Sequence, residues 1–228
     1  MKIAIFQMDT TWEAPQWNIE KAALWVEGLD AEVELCVLPE MFATGFSMNP
    51  ERIAQRMDGE IVTQMTDLAL RTGKALIFSA AIEDTDRHTG KSMFYNRLFF
   101  IAPDGTRLVY NKRHLFRMAG EHKHYGEGDN HMVIHYKGWR IATYICYDLR
   151  FPVWSRKSAE CDLAVYIASW PEPRSYAWST LLRARAIENL CYTVGVNRSG
   201  DDPANHYSGD SVILDYMGMP LAQATPSL

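Results

Sequence analysis

With 228 residues, 47% of them hydrophobic and 12% aromatic, the chain can bury a sizeable core and lacks the polar bias of a disordered protein, so one domain over residues 1–228 is expected. A formal net charge of −5 leaves no basic excess to hold a nucleic-acid backbone or an anionic lipid surface, and neither is expected as a partner. The longest apolar runs, such as Leu98 to Ala102, are strand-sized and far below the roughly 20 residues of a membrane helix.

In chain order, residues 2–7 read as a first strand with no small-residue cleavage site, which points to a cytoplasmic protein. A helical pattern over 17–29 and a strand over 35–38 follow. Residues 59–71 repeat apolar positions at Ile61, Met65 and Leu68, near a 3.6 period, with Asp58 placed to cap the helix. Residues 74–82 read as a strand. The pairs 92–101 with 107–111, and 132–136 with 139–145, flank Pro103-Asp104-Gly105 and Lys137-Gly138 and read as antiparallel hairpins. A helix starting at Pro152, a strand over 163–168, a helix over 176–189, a strand over 192–196 and a last pair around Asp215-Tyr216-Met217-Gly218 complete the pattern. About ten strands and four helices result. That is too many strands for one comfortable open sheet, so two packed sheets with helices on both outer faces are expected, an α/β architecture. The sizeable irregular stretches, 41–55, 115–131 and 199–208, are where substrate contacts are expected.

Four cysteines, Cys36, Cys146, Cys161 and Cys191, lie in or beside apolar runs without disulfide or CxxC spacing. Three of them read as small core residues. Cys146 differs because it stands just past a strand end, as do Glu40 and Lys112. In α/β sheets ligands gather at the carboxyl ends of strands, so these three can share one cleft. A lysine ammonium near a thiol favours the nucleophilic thiolate, and a carboxylate can move the thiol proton to a leaving amine and later activate water.

The segments Pro39-Glu40-Met41-Phe42-Ala43-Thr44-Gly45-Phe46, Tyr110-Asn111-Lys112-Arg113-His114-Leu115-Phe116 and Tyr144-Ile145-Cys146-Tyr147-Asp148-Leu149-Arg150-Phe151-Pro152 resemble, in order, the three signatures of the nitrilase superfamily of carbon-nitrogen hydrolases. Gly120-Glu121-His122-Lys123-His124-Tyr125, followed by Gly128-Asp129, resembles the segment carrying that family's second glutamate, at Glu121. The resemblance covers residues 2 to about 224. It implies a four-layer αββα sandwich of the nitrilase type, a Glu40–Lys112–Cys146 triad assisted by Glu121, and no metal or organic cofactor. It also implies hydrolysis of small amides through a cysteine thioester, and a homodimer or larger homo-oligomer. The chain ends at Pro226-Ser227-Leu228 where family members usually continue with a strand–helix tail.

Ala168-Ser169-Trp170-Pro171-Glu172-Pro173-Arg174 and Leu181 to Asn189 look most like the bacterial omega-amidase branch, which implies 2-oxoglutaramate and 2-oxosuccinamate as substrates. Another small amide, or a binding module on the same fold, is the alternative. A 2-oxo dicarboxylate monoamide needs a cation for its carboxylate and apolar walls for its short chain. Arg174 with Phe42, Phe116 and Trp170 is the expected set, with Arg113, Arg117 and Arg198 as competing cations and the backbone N–H of Tyr147 as an oxyanion donor. Asp148 and Arg150 are expected to hold the turn beside the nucleophile. The histidine group His122, His124, His131 and His135 lacks a hydrolytic zinc motif and reads as solvated, and His114 as a base for Cys146 would leave Glu40 and Lys112 without a role.

Overall fold

The computed structural model describes residues 1–156 and 160–224. The N-terminal half runs β1 (Ile3–Ile5), α1 (Pro15–Glu27), β2 (Leu35–Val37), α2 (Pro50–Ile53), α3 (Glu60–Thr72), β3 (Ala75–Thr85), β4 (Ser92–Ile101) and β5 (Arg107–Asn111). The second half runs β6 (Val133–Tyr136), β7 (Trp139–Ile145), α4 (Pro152–Ser155), β8 (Leu163–Ala168), α5 (Ser175–Asn189), β9 (Tyr192–Asn197), β10 (Ser199–Asp201), β11 (His206–Ser208), β12 (Val212–Leu214) and β13 (Pro220–Gln223).

The strands form a five-stranded sheet in the order β1-β2-β3-β4-β5 and a six-stranded sheet in the order β13-β12-β9-β8-β7-β6, with β10 and β11 as a separate ribbon. Period-two alternation explains how the first sheet is covered on both faces. Leu35, Val37, Ala75, Ile77, Leu98 and Phe100 point into the cluster shared with the second sheet. Their neighbours Cys36, Leu38, Leu76, Phe78, Phe99 and Ile101 point the other way, against Ile19, Ala22 and Val26 of α1 and Ile61, Met65 and Leu68 of α3. On the far side Trp178, Leu182 and Ala186 of α5 close the second sheet. The layers are therefore helix, sheet, sheet, helix, the expected αββα sandwich.

β2, β3 and β5 run in one direction, because β3 pairs parallel with β2 and antiparallel with β4, which in turn pairs antiparallel with β5. β7, β8 and β9 are likewise parallel to one another.

The local differences from the sequence reading have identifiable causes. Asp58 does not cap α3: the helix begins after Gly59, and the Gln55 side chain accepts the Ile61 N–H at 2.8 Å. Gln55 reaches that position because its backbone bridges to Ile82 of β3. Two short features inside the irregular stretches, α2 and the β10–β11 ribbon, are too brief for periodicity to reveal. The Pro226-Ser227-Leu228 terminus lies outside the described residues, and among the described residues no helix is long and apolar enough to cross a membrane.

Candidate active site

Three strand ends deliver the central residues. Glu40 follows β2, and the Met41 N–H after it donates to Ser79 Oγ of β3 at 2.9 Å, which pins the turn. Lys112 follows β5, its N–H bonded to the Asn96 carbonyl of β4 at 2.9 Å and its carbonyl to the Gly128 N–H at 2.8 Å. Cys146 follows β7 and opens a 3₁₀ turn over Cys146–Arg150 with φ of +45°, a left-handed conformation that costs a non-glycine residue of order 1–3 kcal/mol and persists only where its surroundings enforce it. Asp148 supplies the enforcement. Its buried carboxylate accepts from the Ile145 N–H (3.0 Å), the Tyr110 hydroxyl (2.7 Å) and the His114 N–H (2.9 Å), tying the turn to the segment that follows β5. The second clamp is Arg185 of α5, which donates to the Leu149 carbonyl at 2.6 and 3.1 Å.

Lys112 is fully buried between two carboxylates, its Nζ 2.8 Å from Glu40 Oε1 and 3.0 Å from Glu121 Oε1, and it lies 4.9 Å from the centre of the Phe46 ring. Glu121, in a 3₁₀ turn over Glu121–Lys123, is equally buried. Asn96 of β4 donates from Nδ2 to Glu40 Oε1 at 2.7 Å and reaches Glu121 Oε1 at 3.4 Å. Ser169, just past β8, links Glu40 to the thiol: its N–H donates to Glu40 Oε2 at 2.8 Å, and its carbonyl lies 4.0 Å from Cys146 Sγ.

The electrostatics depart from expectation at the thiol. Burial would lower the Lys112 ammonium, but Glu121 and Glu40 overcome it and hold the lysine above its ordinary range. Burial pushes the Glu121 carboxyl up, against the pull of Lys112. Burial also drives the Cys146 thiol well above its ordinary value; Glu40 adds to this, and the opposing Lys112 charge does not reverse it. The lysine charge is already engaged by two carboxylates, so the surroundings favour the neutral thiol over the thiolate.

A cleft of about 260 Å³ opens beside Cys146, and its walls include Phe116, Tyr147, Trp170 and Arg174. Each irregular stretch contributes: Phe46 from the first, Phe116, Met118 and Ala119 from the second, Asn205 and Tyr207 from the third. Phe42 is absent from these walls. It is fully buried between Phe78 and the α1–α3 layer, 5.4 Å from the Phe78 ring, so its sequence assignment as a substrate contact is corrected to core packing. Arg174 lies over the Phe116 ring at 5.2 Å. Arg150, read from sequence as a turn holder, faces the cleft instead and lies 4.9 Å over the Trp170 ring.

The competing arginines are engaged elsewhere. Arg113 and Arg117 lie within 3.6 and 3.9 Å of Glu127, and buried Arg198 donates to the Thr10 and Asp201 carbonyls at 2.9 and 2.8 Å. His114 gives its Nδ1 to Asp148 at 2.8 Å and stacks on Phe151, so that nitrogen is already engaged. Among the described residues no group of three or more His, Cys, Asp or Glu side chains could hold a metal ion, the four histidines of residues 122–135 included. Asn96 and Ser169 were not singled out from sequence. The Asn96 signal was a lone polar amide inside the apolar run of β4, and Ser169 acts through its backbone, which sequence does not display.

A buried glutamate, lysine and cysteine thus stand together at three strand ends of an αββα sandwich, and comparison with known proteins shows the family. The carbon-nitrogen hydrolase family matches residues 2–227, and the chain belongs to that family. It is similar to the omega-amidase YafV of Yersinia enterocolitica, 44% identical with 99% of this chain and 86% of that one covered. The 2-oxoglutaramate amidase of Bacillus subtilis is 31% identical over 97% of this chain and 85% of its own. Among solved structures, the CN-hydrolase superfamily protein XC1258 of Xanthomonas campestris, which carries an arsenic adduct in its active site, superimposes with a TM-score of 0.92 at 39% identity, covering 99% of this chain and 86% of that one. Nit3 of Saccharomyces cerevisiae, at 24% identity and a TM-score of 0.86 over 99% and 86% of the two chains, shares the fold. The chain is an amidase enzyme of this family.

Proposed function

We propose that the protein hydrolyses the terminal amide of small 2-oxo dicarboxylate monoamides, 2-oxoglutaramate and 2-oxosuccinamate, to ammonia and the 2-oxo acid. The observation that carries this reading is the junction at Ser169, where the Glu40 carboxylate and the Cys146 thiol meet at one residue beside a cleft holding the Arg150 and Arg174 guanidinium groups. The cations suit a short anionic substrate, and the relatives named for 2-oxoglutaramate and omega-amide hydrolysis support the choice.

Cys146 Sγ attacks the amide carbon while Glu40 takes its proton. The oxyanion faces the Lys112 ammonium and the Tyr147 N–H, and losing one such donor costs about 2.7–4 kcal/mol in the transition state. The C–N bond breaks as Glu40 passes the proton to the nitrogen, so ammonia leaves and a thioester remains. Glu40 then deprotonates a water that attacks the thioester carbonyl, and the proton returns to Sγ as the acid departs. Glu121 holds Lys112 in position throughout.

The test is ammonia release from 2-oxoglutaramate, 2-oxosuccinamate, glutamine, asparagine and a simple nitrile, with the wild type and Cys146→Ala. Turnover confined to the 2-oxo amides and lost in Cys146→Ala is the expected result. Cys146-dependent turnover of another compound would keep the nucleophile and overturn the substrate.

A further inference from the structure

A carboxylate offers about four acceptor positions, two on each oxygen. In Glu40 three are occupied: Oε1 accepts from Lys112 Nζ at 2.8 Å and from Asn96 Nδ2 at 2.7 Å, and Oε2 accepts from the Ser169 N–H at 2.8 Å. The fourth position lies on Oε2, the oxygen bound to Ser169, whose carbonyl is the one near Cys146 Sγ, and the Cys146 thiol itself interacts with the Glu40 carboxylate. Asn96 is fully buried, and its Oδ1 has no hydrogen-bond partner. A buried acceptor left unsatisfied costs of order 1–3 kcal/mol. Rotating the amide would turn Oδ1 toward two carboxylates, so the amide keeps its donor inward and its acceptor unpaired.

We infer that Asn96 is a positioning residue for the base: by filling Oε1 together with Lys112, it leaves Glu40 Oε2 as the single atom that receives the Cys146 proton and later returns it. The Asn96 side chain touches neither sulfur nor substrate; it acts through Glu40, and the inference rests on Glu40 being the base. Titratable and charged groups facing that carboxylate are Lys112, Glu121 and Cys146, with the Tyr125 and Tyr207 phenols further out.

Asn96→Leu and Asn96→Asp separate this role from a structural one. The leucine removes the donor, which disfavours the ionised base, so kcat should fall tenfold or more with KM changed less, and the acid limb of kcat/KM should move to higher pH. The introduced aspartate repels Glu40 when ionised and donates an O–H to Oε1 when protonated, so its activity relative to wild type should rise as pH falls, opposite to the leucine variant. Iodoacetamide alkylation of Cys146, followed across the same pH range by mass spectrometry, should show the same opposed trends and needs no knowledge of the substrate. A wild type that alkylates normally but leaves 2-oxo amides intact would therefore count against the substrate and not against Asn96. Equal losses in both variants at every pH, or a leucine variant with wild-type kcat and limbs, would overturn the inference; the isosteric aspartate keeps it testable if the leucine variant misfolds.

Discussion

Replacing Lys112 by methionine keeps nearly the same side-chain length and removes one charge. In the folded protein that charge lies within 2.8 and 3.0 Å of two carboxylates, and all three side chains are shut off from solvent. Breaking a buried pair by deleting one partner costs about 3–5 kcal/mol, because the remaining charge has neither water nor counterion. In a chain of this size each kcal/mol moves the melting temperature by about 2–4 °C, so Lys112→Met should melt about 6–20 °C below wild type at neutral pH. The deficit should also depend on pH. Burial already raises the Glu121 carboxyl in the folded state, and removing Lys112 withdraws the main opposing influence. A carboxyl raised on folding binds more protons in the native than in the unfolded chain, so native stability falls as pH climbs from the unfolded value of about 4.3 toward the raised folded one. The gap between wild type and Lys112→Met should accordingly be small near pH 5 and widen toward pH 8. Calorimetry of both proteins across that range, with ammonia release alongside, makes the check. Equal melting temperatures at pH 8 would refute the placement of an ionised lysine between two carboxylates.

Arg174→Met should raise KM for 2-oxoglutaramate by roughly 10–150-fold, the equivalent of losing one charged hydrogen bond of about 1.5–3 kcal/mol, with a smaller change in kcat; steady-state kinetics showing an unaltered KM would move the carboxylate contact to Arg150 or elsewhere. A methyl group at Gly128 would sit 2.1 Å from the Asn111 carbonyl oxygen, while the Gly128 N–H holds the Lys112 carbonyl at 2.8 Å. Gly128→Ala should therefore push β5 off register at Lys112, lowering both melting temperature and turnover, and a variant with wild-type values for both would contradict that geometry.

The sequence disclosed the fold where side-chain alternation or a turn left no choice. The bounds of β4, β5, β7 and β8 agree with the reading residue for residue, because each is a run of apolar or alternating positions between strong punctuation such as Pro103-Asp104-Gly105. It failed where a feature depends on contacts across the fold. The cap of α3 comes from Gln55, held in place by Ile82 far along the chain. Phe42 stands two residues after Glu40, yet the turn that follows β2, with Met41 at a φ of +47°, buries it in the α1–α3 layer. Arg150 and Asp148 share a turn whose tightness suggested a structural task for both; Asp148 performs it, while Arg150 faces the cleft. The gathering of Glu40, Lys112, Glu121 and Cys146 was legible in the motifs; the Asn96 amide, which reaches both carboxylates from β4, was not, because its contacts cross the fold.

That engagement decides how the nucleophile behaves. Glu40, Glu121 and Lys112 sum to one net negative charge when all are ionised, and all three are buried beside a sulfur that lines the cleft. A resting thiolate would place a second negative charge there, and burial, with Glu40 next in effect, drives the thiol well above its ordinary range. In the mechanism we propose, the sulfur therefore stays protonated until an electrophilic carbon is in reach and its proton passes to Glu40. Alkylation of Cys146 by iodoacetamide should then be slow at pH 7 and still rising at pH 9, unlike a cysteine activated by an unshared cation, whose rate levels off near or below neutrality. Mass-spectrometric rates from pH 6 to pH 10 make the comparison, with Cys146→Ala reporting any labelling of the three other buried cysteines. A rate that reaches its plateau below pH 7 would mean that the thiolate exists before substrate arrives, and that Lys112, not Glu40, governs the sulfur.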